Sequence, residues 1–363
     1  MILNDFMKTM IIHMKKIVIL LSICIGVSVA VFAQSPYINK VFDYRPAPGQ
    51  FVNQLPEYET GDTREDMRRK AEESIGGEND IPISLGGYGG YVVFGFDHPI
   101  INLPGAYDFK ITGNAIITTP PEAPRDGGSC EPGIVMVAFD ANNNGLPDDI
   151  WYELAGSEYA KPETVKNYQI TYNKADYPNY PKWIDDESLF FEGTKLADNA
   201  VDESGTGVNY VLYAYPWGYA DNYPNSDERS NFNIEWAVDA DGNPIHLAAV
   251  HFVKVYTGVH QQCGWLGETS TEVSGAEDLH PDAVGINPVL TDKNTIRILK
   301  NPINDVLTVA LSAPQTLTVY NVLGQPLFTH SATAGINKIA CSHLPQGVYI
   351  IISNQGNIKF IKQ

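Results

Sequence analysis

The chain has 363 residues, of which 44% are hydrophobic and only 18% are charged, and its formal net charge is −19. This length exceeds that of most single domains and indicates two domains, while the many Gly, Pro and Tyr residues favour short strands joined by turns. Both ends of the chain are basic, so the segment 34–294 carries an excess of acid, which excludes nucleic acid as a partner and suits bound cations. Alternatively, the charge serves only the solubility of an exported protein.

The first 33 residues have the pattern of a removable signal peptide. Lys15 and Lys16 form a basic start, residues 17–31 are an apolar run, and Ala33 suits cleavage before Gln34. Cys24 lies in a sequence similar to a lipoprotein box, but the residue before it is larger than such a box requires. No other stretch reaches the ~18–20 apolar residues that a membrane span needs. We therefore expect secretion, and no transmembrane segment in the mature chain.

The segment 34–284 is predicted to be one β-rich domain that follows a short helix. Thr63 and Asp66 form a capping-box pattern at the start of a helical segment that ends near Ser74. The Gly-rich run 86–90 lacks the ending of a phosphate-binding loop and is interpreted as a turn. Strands are expected within 83–96, 108–117, 133–139, 168–172, 208–215, 232–234 and 251–256. The predicted fold class is all-β, with a jelly-roll-like β-sandwich as the main domain.

The most specific chemical pattern in this domain is an Asp/Asn-rich loop at 140–149. Oxygen-bearing side chains recur at its first, third and fifth positions and a glycine follows at the sixth, which is how a short loop wraps a hard cation. Trp151 replaces the glutamate that closes a full EF-hand loop, so a metal-free hairpin turn is the alternative. The shorter sequence 239–243 is interpreted as a hairpin turn. The predicted calcium ligands are Asp140, Asn142, Asn144, the carbonyl of Leu146, and Asp148 or Asp149.

Aromatic residues concentrate in irregular stretches of the same domain. In the segment 213–223, tyrosines alternate with residues such as Pro216 and Gly218, which indicate a loop. Exposed rings beside polar groups would bind a sugar or another flat ligand by stacking and hydrogen bonding. The alternative is that most of these rings pack inside the sandwich. The candidate ligand-binding residues are Trp183, Tyr215, Trp217, Tyr219, Asp221 and Asn222.

Two cysteines and several acidic residues of the main domain allow further hypotheses. Cys130 and Cys263 could form a disulfide, and the alternative is two free, partly buried thiols. The sequence does not fix the separation of carboxylates that glycoside hydrolysis needs. The candidate acid–base carboxylates for a hydrolase are Asp185, Asp186, Glu192, Asp202, Glu203, Glu268 and Glu272. The sequence contains no serine-hydrolase elbow and no zinc-protease motif. Enzyme activity therefore has no positive signal in the sequence.

A second domain is expected at 295–363, after a linker near 284–295 where the apolar periodicity stops. Short strands at regular intervals predict a small Ig-like β-sandwich. The segments NPINDVLTV, LTVYNVLGQPL, LPQGVYIIIS and the basic IKFIKQ resemble the C-terminal sorting domain of the type IX secretion system of Bacteroidetes. The resemblance implies export by that machinery, then removal of the domain and attachment to surface lipopolysaccharide, or release.

The main body also resembles a recurrent domain of Bacteroidetes cell-surface proteins, chiefly through EPGIVMVAFDANNNGLPDDIWYELAGSEY and AVDADGNPIHLAAVHFVKVYTGV. This resemblance implies an extracellular β-sandwich similar to galactose-binding-like modules, and no defined reaction. Three hypotheses follow. The first is a calcium-stabilised surface module that binds a small molecule or a glycan. The second is a secreted carbohydrate-active hydrolase, and the third is a structural or adhesive surface protein.

Overall fold

The computed structural model describes residues 34–283, 296–298, 302–311, 314–321, 324–333, 335–353 and 356–363. The predicted signal peptide at 1–33 and the predicted linker at 284–295 lie outside the described residues. The main body and the C-terminal residues each have a hydrophobic core of their own. No helix in the described ranges is long and apolar enough to cross a bilayer.

Short strands dominate the main body, whose described residues contain one α-helix, α1 (Arg64–Ile75). The strands are β1 (Lys40–Arg45), β2 (Ile83–Ser84), β3 (Tyr91–Ile101), β4 (Phe109–Thr112), β5 (Ile116–Ile117), β6 (Gly127–Ser129), β7 (Gly133–Ala138), β8 (Trp151–Leu154), β9 (Val165–Asn173), β10 (Ser188–Lys195), β11 (Ala200–Asp202), β12 (Tyr210–Tyr213), β13 (Asn231–Phe232), β14 (Ala237–Val238), β15 (Ala249–Thr257), β16 (Glu272–Val273) and β17 (Gly275–Asp278). Single 3-10 turns lie at Lys174–Asp176, Glu228–Ser230, Ile234–Trp236 and Gly264–Leu266.

The centre of the main body is a six-stranded antiparallel sheet with the strand order β1-β3-β15-β7-β8-β14. Its register places Val253 of β15 opposite Phe94 of β3 on one side and opposite Val137 of β7 on the other. The sequences of β7 and β15 are almost continuously apolar, and nearly all of their residues are buried. Such runs are typical of strands that are covered on both faces.

The two faces of this sheet are covered by different elements. Val135 and Val137 belong to the main core, which also contains residues of α1 and of the three-stranded sheet β13-β4-β17. Their neighbours Ile134 and Met136 belong to a second cluster, rich in tyrosines, and alternation along a strand places that cluster on the opposite face. The remaining strands pair as β11-β12-β6-β5, β10-β9 and β16-β2. The all-β prediction is thus confirmed, while the jelly-roll strand order stays a prediction.

Helix α1 forms where the capping pattern predicted it. The Thr63 side chain accepts a hydrogen bond from the Asp66 backbone N–H, and the Asp66 carboxylate accepts one from the Thr63 backbone N–H. Met67, Ala71 and Ile75 follow at intervals of four and are fully buried, because residues at this spacing share one helix face. The helix therefore closes one side of the main core.

The C-terminal residues form two packed antiparallel sheets. Their strands are β18 (Ile296–Ile298), β19 (Val306–Leu311), β20 (Gln315–Asn321), β21 (Pro326–Ala332), β22 (Gly335–Ala340), β23 (Gly347–Ser353) and β24 (Gly356–Lys362). One sheet has the order β18-β19-β22 and the other has the order β21-β20-β23-β24. Leu307 and Val309 of the first sheet share a core with Val319, Ile351 and Phe360 of the second. This unit is a small β-sandwich, as predicted.

Candidate functional site

The predicted calcium loop connects two neighbouring strands of the central sheet. Ala138 at the end of β7 lies opposite Trp151 at the start of β8, so residues 140–149 form an extended hairpin connection. Asp140 is buried at its base, and its backbone N–H donates to His251 Nδ1 on β15 at 3.1 Å. The Asp140 carboxylate accepts hydrogen bonds from the backbone N–H groups of Asn144 (3.1 Å) and Gly145 (2.9 Å). These contacts hold the loop against the ends of strands β7 and β15.

Three further predicted ligands meet at one point of this loop. The side-chain amides of Asn142 and Asn144 donate to the two carboxylate oxygens of Asp148, at 3.1 and 2.9 Å. The side-chain oxygens of Asn142 and Asn144 accept hydrogen bonds from the backbone N–H groups of Asn144 and Leu146, so the amide orientations are fixed by these contacts. Amide and carboxylate oxygens are the donors that calcium prefers, but a calcium ion at this point would have to replace the present hydrogen bonds.

The hydrogen bonds of Asp149 and Leu146, which supply the two other predicted ligands, also stay within the loop. The Asp149 carboxylate accepts from the Ala141 backbone N–H at 3.0 Å, and the Leu146 backbone N–H donates to the Asn144 side-chain oxygen at 2.7 Å. In the second candidate loop, the Asp239 carboxylate accepts from the backbone N–H groups of Asp241 and Asn243, as the Asp140 carboxylate accepts from those of Asn144 and Gly145. That arrangement is the turn that the sequence predicts.

Most of the predicted ligand-binding residues are buried, so the expectation of exposed rings is wrong for them. Trp183 is 5% exposed and stacks between Tyr44 and Tyr58, with ring centroids 6.0 and 6.2 Å apart. Tyr215 and Tyr219 pack in the second core cluster, because they cover the outer face of β7 and β15. The alternative of core packing accounts for these three rings.

Asn222, a polar member of the predicted ligand-binding set, hydrogen-bonds to the backbone of Tyr215. The Asn222 side chain is fully buried, accepts from the Tyr215 backbone N–H at 2.9 Å and donates to the Tyr215 carbonyl at 2.7 Å. It therefore holds the irregular 215–222 loop closed. Trp217 differs from the other members, since it is 39% exposed and its ring centroid lies 4.8 Å from that of Trp236. Tyr107 contacts the same Trp236 ring edge-on, at 6.0 Å.

A shallow groove of 310 Å³ lies beside α1. Trp183 lines it together with Tyr44 and three arginines, Arg45, Arg64 and Arg68. Two of these guanidinium groups form ion pairs, Arg64 with Asp186 and Arg68 with Glu65 and Glu72. The groove thus has an aromatic side, and the positive charges of Arg64 and Arg68 in it are neutralised by ion pairs.

The cysteine pair of the main body is not joined. Cys130 and Cys263 are free thiols, although both are buried and share a small apolar cluster with Leu212. Burial raises the pKa of each thiol to about 12, so both stay protonated. The predicted bridge is therefore absent from this structure, and the alternative of two buried thiols describes it.

A group of three acidic side chains, distant in the sequence, meets in the interior. Glu131, Asp221 and Glu272, which we call the carboxylate cluster, have carboxylate oxygens within 4.8 Å of one another. Their exposed fractions are only 4%, 3% and 0%. Glu131 precedes β7, Asp221 follows Ala220, which is bridged to Gly133 of β7, and Glu272 lies in β16. The cluster therefore lies where the start of β7 meets two other segments.

Burial dominates the electrostatics of the carboxylate cluster. It raises the pKa of all three carboxyl groups above the usual range, and repulsion by the neighbouring carboxylates raises those of Glu131 and Glu272 further. The backbone N–H groups of Glu272 and Asn114 donate to Asp221 at 2.8 Å each and oppose the rise of its pKa. The sequence identified Asp221 only as a neighbour of aromatic rings and Glu272 only as an acid–base candidate, and it did not single out Glu131.

The C-terminal unit matches a family of known proteins. Residues 298–363 fit the family model described as a secretion system C-terminal sorting domain. This match confirms the resemblance that the C-terminal segments showed. No curated protein matches the chain.

Proposed function

We propose that the main body of this chain is a calcium-stabilised surface module, carried by a type IX secretion substrate whose sorting domain is formed by residues 298–363. After export, the main body would be attached to surface lipopolysaccharide and would bind a glycan or another small ligand there. The observation that carries the calcium part is the convergence of Asn142, Asn144 and Asp148 above the buried Asp140.

Calcium would stabilise the main body through the hairpin that joins β7 to β8. Asp140, Asp148 and Asp149 place three carboxylates in one short loop of a body that is already acidic, and a divalent ion would offset their charge. A ligand that binds only the folded state stabilises it by RT ln(1 + [L]/Kd), which is about 2.7 kcal/mol at a calcium concentration of 100 Kd. The effect would be largest outside the cell, where calcium sites of modest affinity are filled.

Calorimetric titration of residues 34–363 with calcium tests this proposal. Asp148→Asn removes a charge from an exposed side chain whose hydrogen bonds, among the described residues, go to Asn142 and Asn144, so the fold should persist without it. Asp241→Asn is the matched control, because it removes an exposed charge from the other Asp-rich turn. We expect Asp148→Asn to lose one calcium ion per chain and Asp241→Asn to keep it. Equal calcium binding by the wild type and Asp148→Asn would contradict the proposal.

The Trp217–Trp236 pair supports the ligand-binding part. Trp217 is the exposed member of the predicted set, and a large aromatic face at the surface offers a stacking platform for a sugar ring. Retention on a panel of immobilised glycans should be lost in Trp217→Ala. Phe190→Ala, which removes an aromatic ring that is 52% exposed elsewhere, is the control and should retain binding. Equal retention by both variants would exclude the pair as the binding surface.

The two other hypotheses have less support. A hydrolase needs a pair of carboxylates that a substrate can reach. Of the candidates, Glu268 and Glu272 are 4% and 0% exposed, while the accessible ones lie in separate segments at 185–186, 192 and 202–203. A purely adhesive protein would have no concave site, whereas the groove beside α1 is concave.

A further inference from the structure

We propose that the carboxylate cluster of Glu131, Asp221 and Glu272 binds a calcium ion in the interior of the main body, at a second site that is independent of the loop 140–149. The site would take one hard divalent cation and hold it without access to bulk water.

The charge of the cluster is uncompensated. Three carboxylates lie within 4.8 Å of one another, and the groups that act on them electrostatically are each other. No ion pair with Lys, Arg or His joins any of them in the parts of the chain that the structure describes. Burying an unpaired carboxylate costs several kcal/mol, so the folded state must neutralise the three groups with protons or with a cation.

The Glu272 side chain is fully buried and aimed into the cluster. Among the described residues, no donor group meets hydrogen-bond geometry at either of its carboxylate oxygens, and its polar side-chain neighbours are Glu131 and the Ser270 hydroxyl. The Ser270 hydroxyl lies nearby but bonds to Ser84 Oγ at 2.8 Å and to the Gly86 backbone N–H at 2.9 Å. Buried polar atoms rarely lack a partner in folded proteins, and a bound ion is one of the established reasons. A calcium ion between the three carboxylates would occupy both oxygens.

The backbone places these groups rigidly. Asp221 has a φ of 52°, a conformation that few residues other than glycine adopt, and it is typical of functional positions. The Glu131 backbone N–H donates to the Asp221 carbonyl, and the Glu272 backbone N–H donates to the Asp221 carboxylate, both at 2.8 Å. A side chain at Gly113 would collide with Asp221 Oδ1, so a glycine is needed there. The cluster is therefore assembled before any ion arrives.

The donor chemistry selects calcium over other metals. Every ligand atom in the cluster is a carboxylate oxygen, and three carboxylates carry six oxygens, the lower end of the six to eight that calcium takes. Magnesium keeps several waters, for which a fully buried site has little room.

The test uses residues 34–363 with Asp148→Asn, so that the loop 140–149 no longer contributes. The protein is first equilibrated with calcium by extensive dialysis, and its metal content is then measured by mass spectrometry. In a separate measurement, the luminescence of bound terbium, sensitised by tyrosine or tryptophan, reports on the occupancy of the site. We expect one ion per chain in Asp148→Asn. Adding Glu272→Gln should weaken binding by about 100-fold or more, since even groups that only support a metal ligand contribute 10–100-fold.

Glu268→Gln is the matched control for this experiment. Glu268 is also a buried glutamate, but it accepts hydrogen bonds from Tyr172 OH and the Tyr88 backbone N–H, which a glutamine oxygen can still accept. Asp148→Asn with Glu268→Gln should keep the ion. Asp148→Asn without any bound ion would overturn the inference and show that protons neutralise the cluster, while leaving the proposal for the loop intact. Retention of the ion after Glu272→Gln would also overturn it.

Discussion

Gly86 offers a sharp test of how the glycine-rich turn supports the central sheet. It lies between β2 and β3 with a φ of 71°, and a Cβ atom there would overlap the Ala47 carbonyl oxygen and lie 2.9 Å from Val52 Cγ2. The left-handed conformation costs an alanine about 1–2 kcal/mol. The collision with backbone adds about 1–3 kcal/mol, as overpacking of a core does. We therefore expect Gly86→Ala to lower the free energy of unfolding by about 2–5 kcal/mol.

Gly77→Ala is the matched control, because Gly77 has a φ of 61° but a Cβ atom on it would have no described neighbour within 4 Å. It should cost only the conformational part, about 1–2 kcal/mol. Urea unfolding followed by tryptophan fluorescence measures the difference for the main body alone, since all five tryptophans lie between residues 151 and 265. Equal losses in Gly86→Ala and Gly77→Ala would refute the close approach of Gly86 to Ala47.

Three further predictions concern buried groups. Without calcium, the free energy of unfolding should fall as pH rises from about 4 to neutrality. Burial raises the pKa of Asp108 to about 6 and also raises the pKa values of the carboxylate cluster. The folded state therefore binds more protons than the unfolded chain in this interval, and it loses this advantage as they dissociate. A stability that rises with pH across this range in chelator would contradict this. Asp108→Ala should cost about 2–4 kcal/mol in urea unfolding, because it removes the acceptor of the buried Ile234 backbone N–H and of the half-buried Leu103 backbone N–H. A loss below about 1 kcal/mol would disagree. Finally, Cys130 and Cys263 should react with a thiol reagent only after unfolding, and a denatured, unreduced chain that lacks these thiols would show that they form a disulfide.

The sequence predicted those elements that are stabilised by contacts between residues close together in the chain. The helix begins at Arg64 because Thr63 and Asp66 form the capping box, and three neighbouring residues suffice to recognise it. The strands β7 and β15 are recognisable because their apolar runs are buried on both faces. The loop 140–149 is equally local, since its side chains meet within a single hairpin connection.

The carboxylate cluster has no such local signal. Glu131, Asp221 and Glu272 come from three separate segments, and only the pairing of β7 with the segment at Ala220 brings Glu131 and Asp221 together. The aromatic residues are easy to find in the sequence, but their exposure is not. Composition alone does not say whether a ring points into the core or towards solvent. Tyr215 and Trp217 are two residues apart, yet the first packs against the sheet and the second is exposed.

Thermal unfolding of residues 34–363 in calcium and in chelator, followed by tryptophan fluorescence, tests the central claim that calcium stabilises this secreted module. A body of this size shifts its Tm by about 2–4 °C for each kcal/mol. We predict a Tm that rises with calcium concentration in the wild type, and a smaller rise in Asp148→Asn. A Tm that is the same in millimolar calcium and in chelator would contradict the claim.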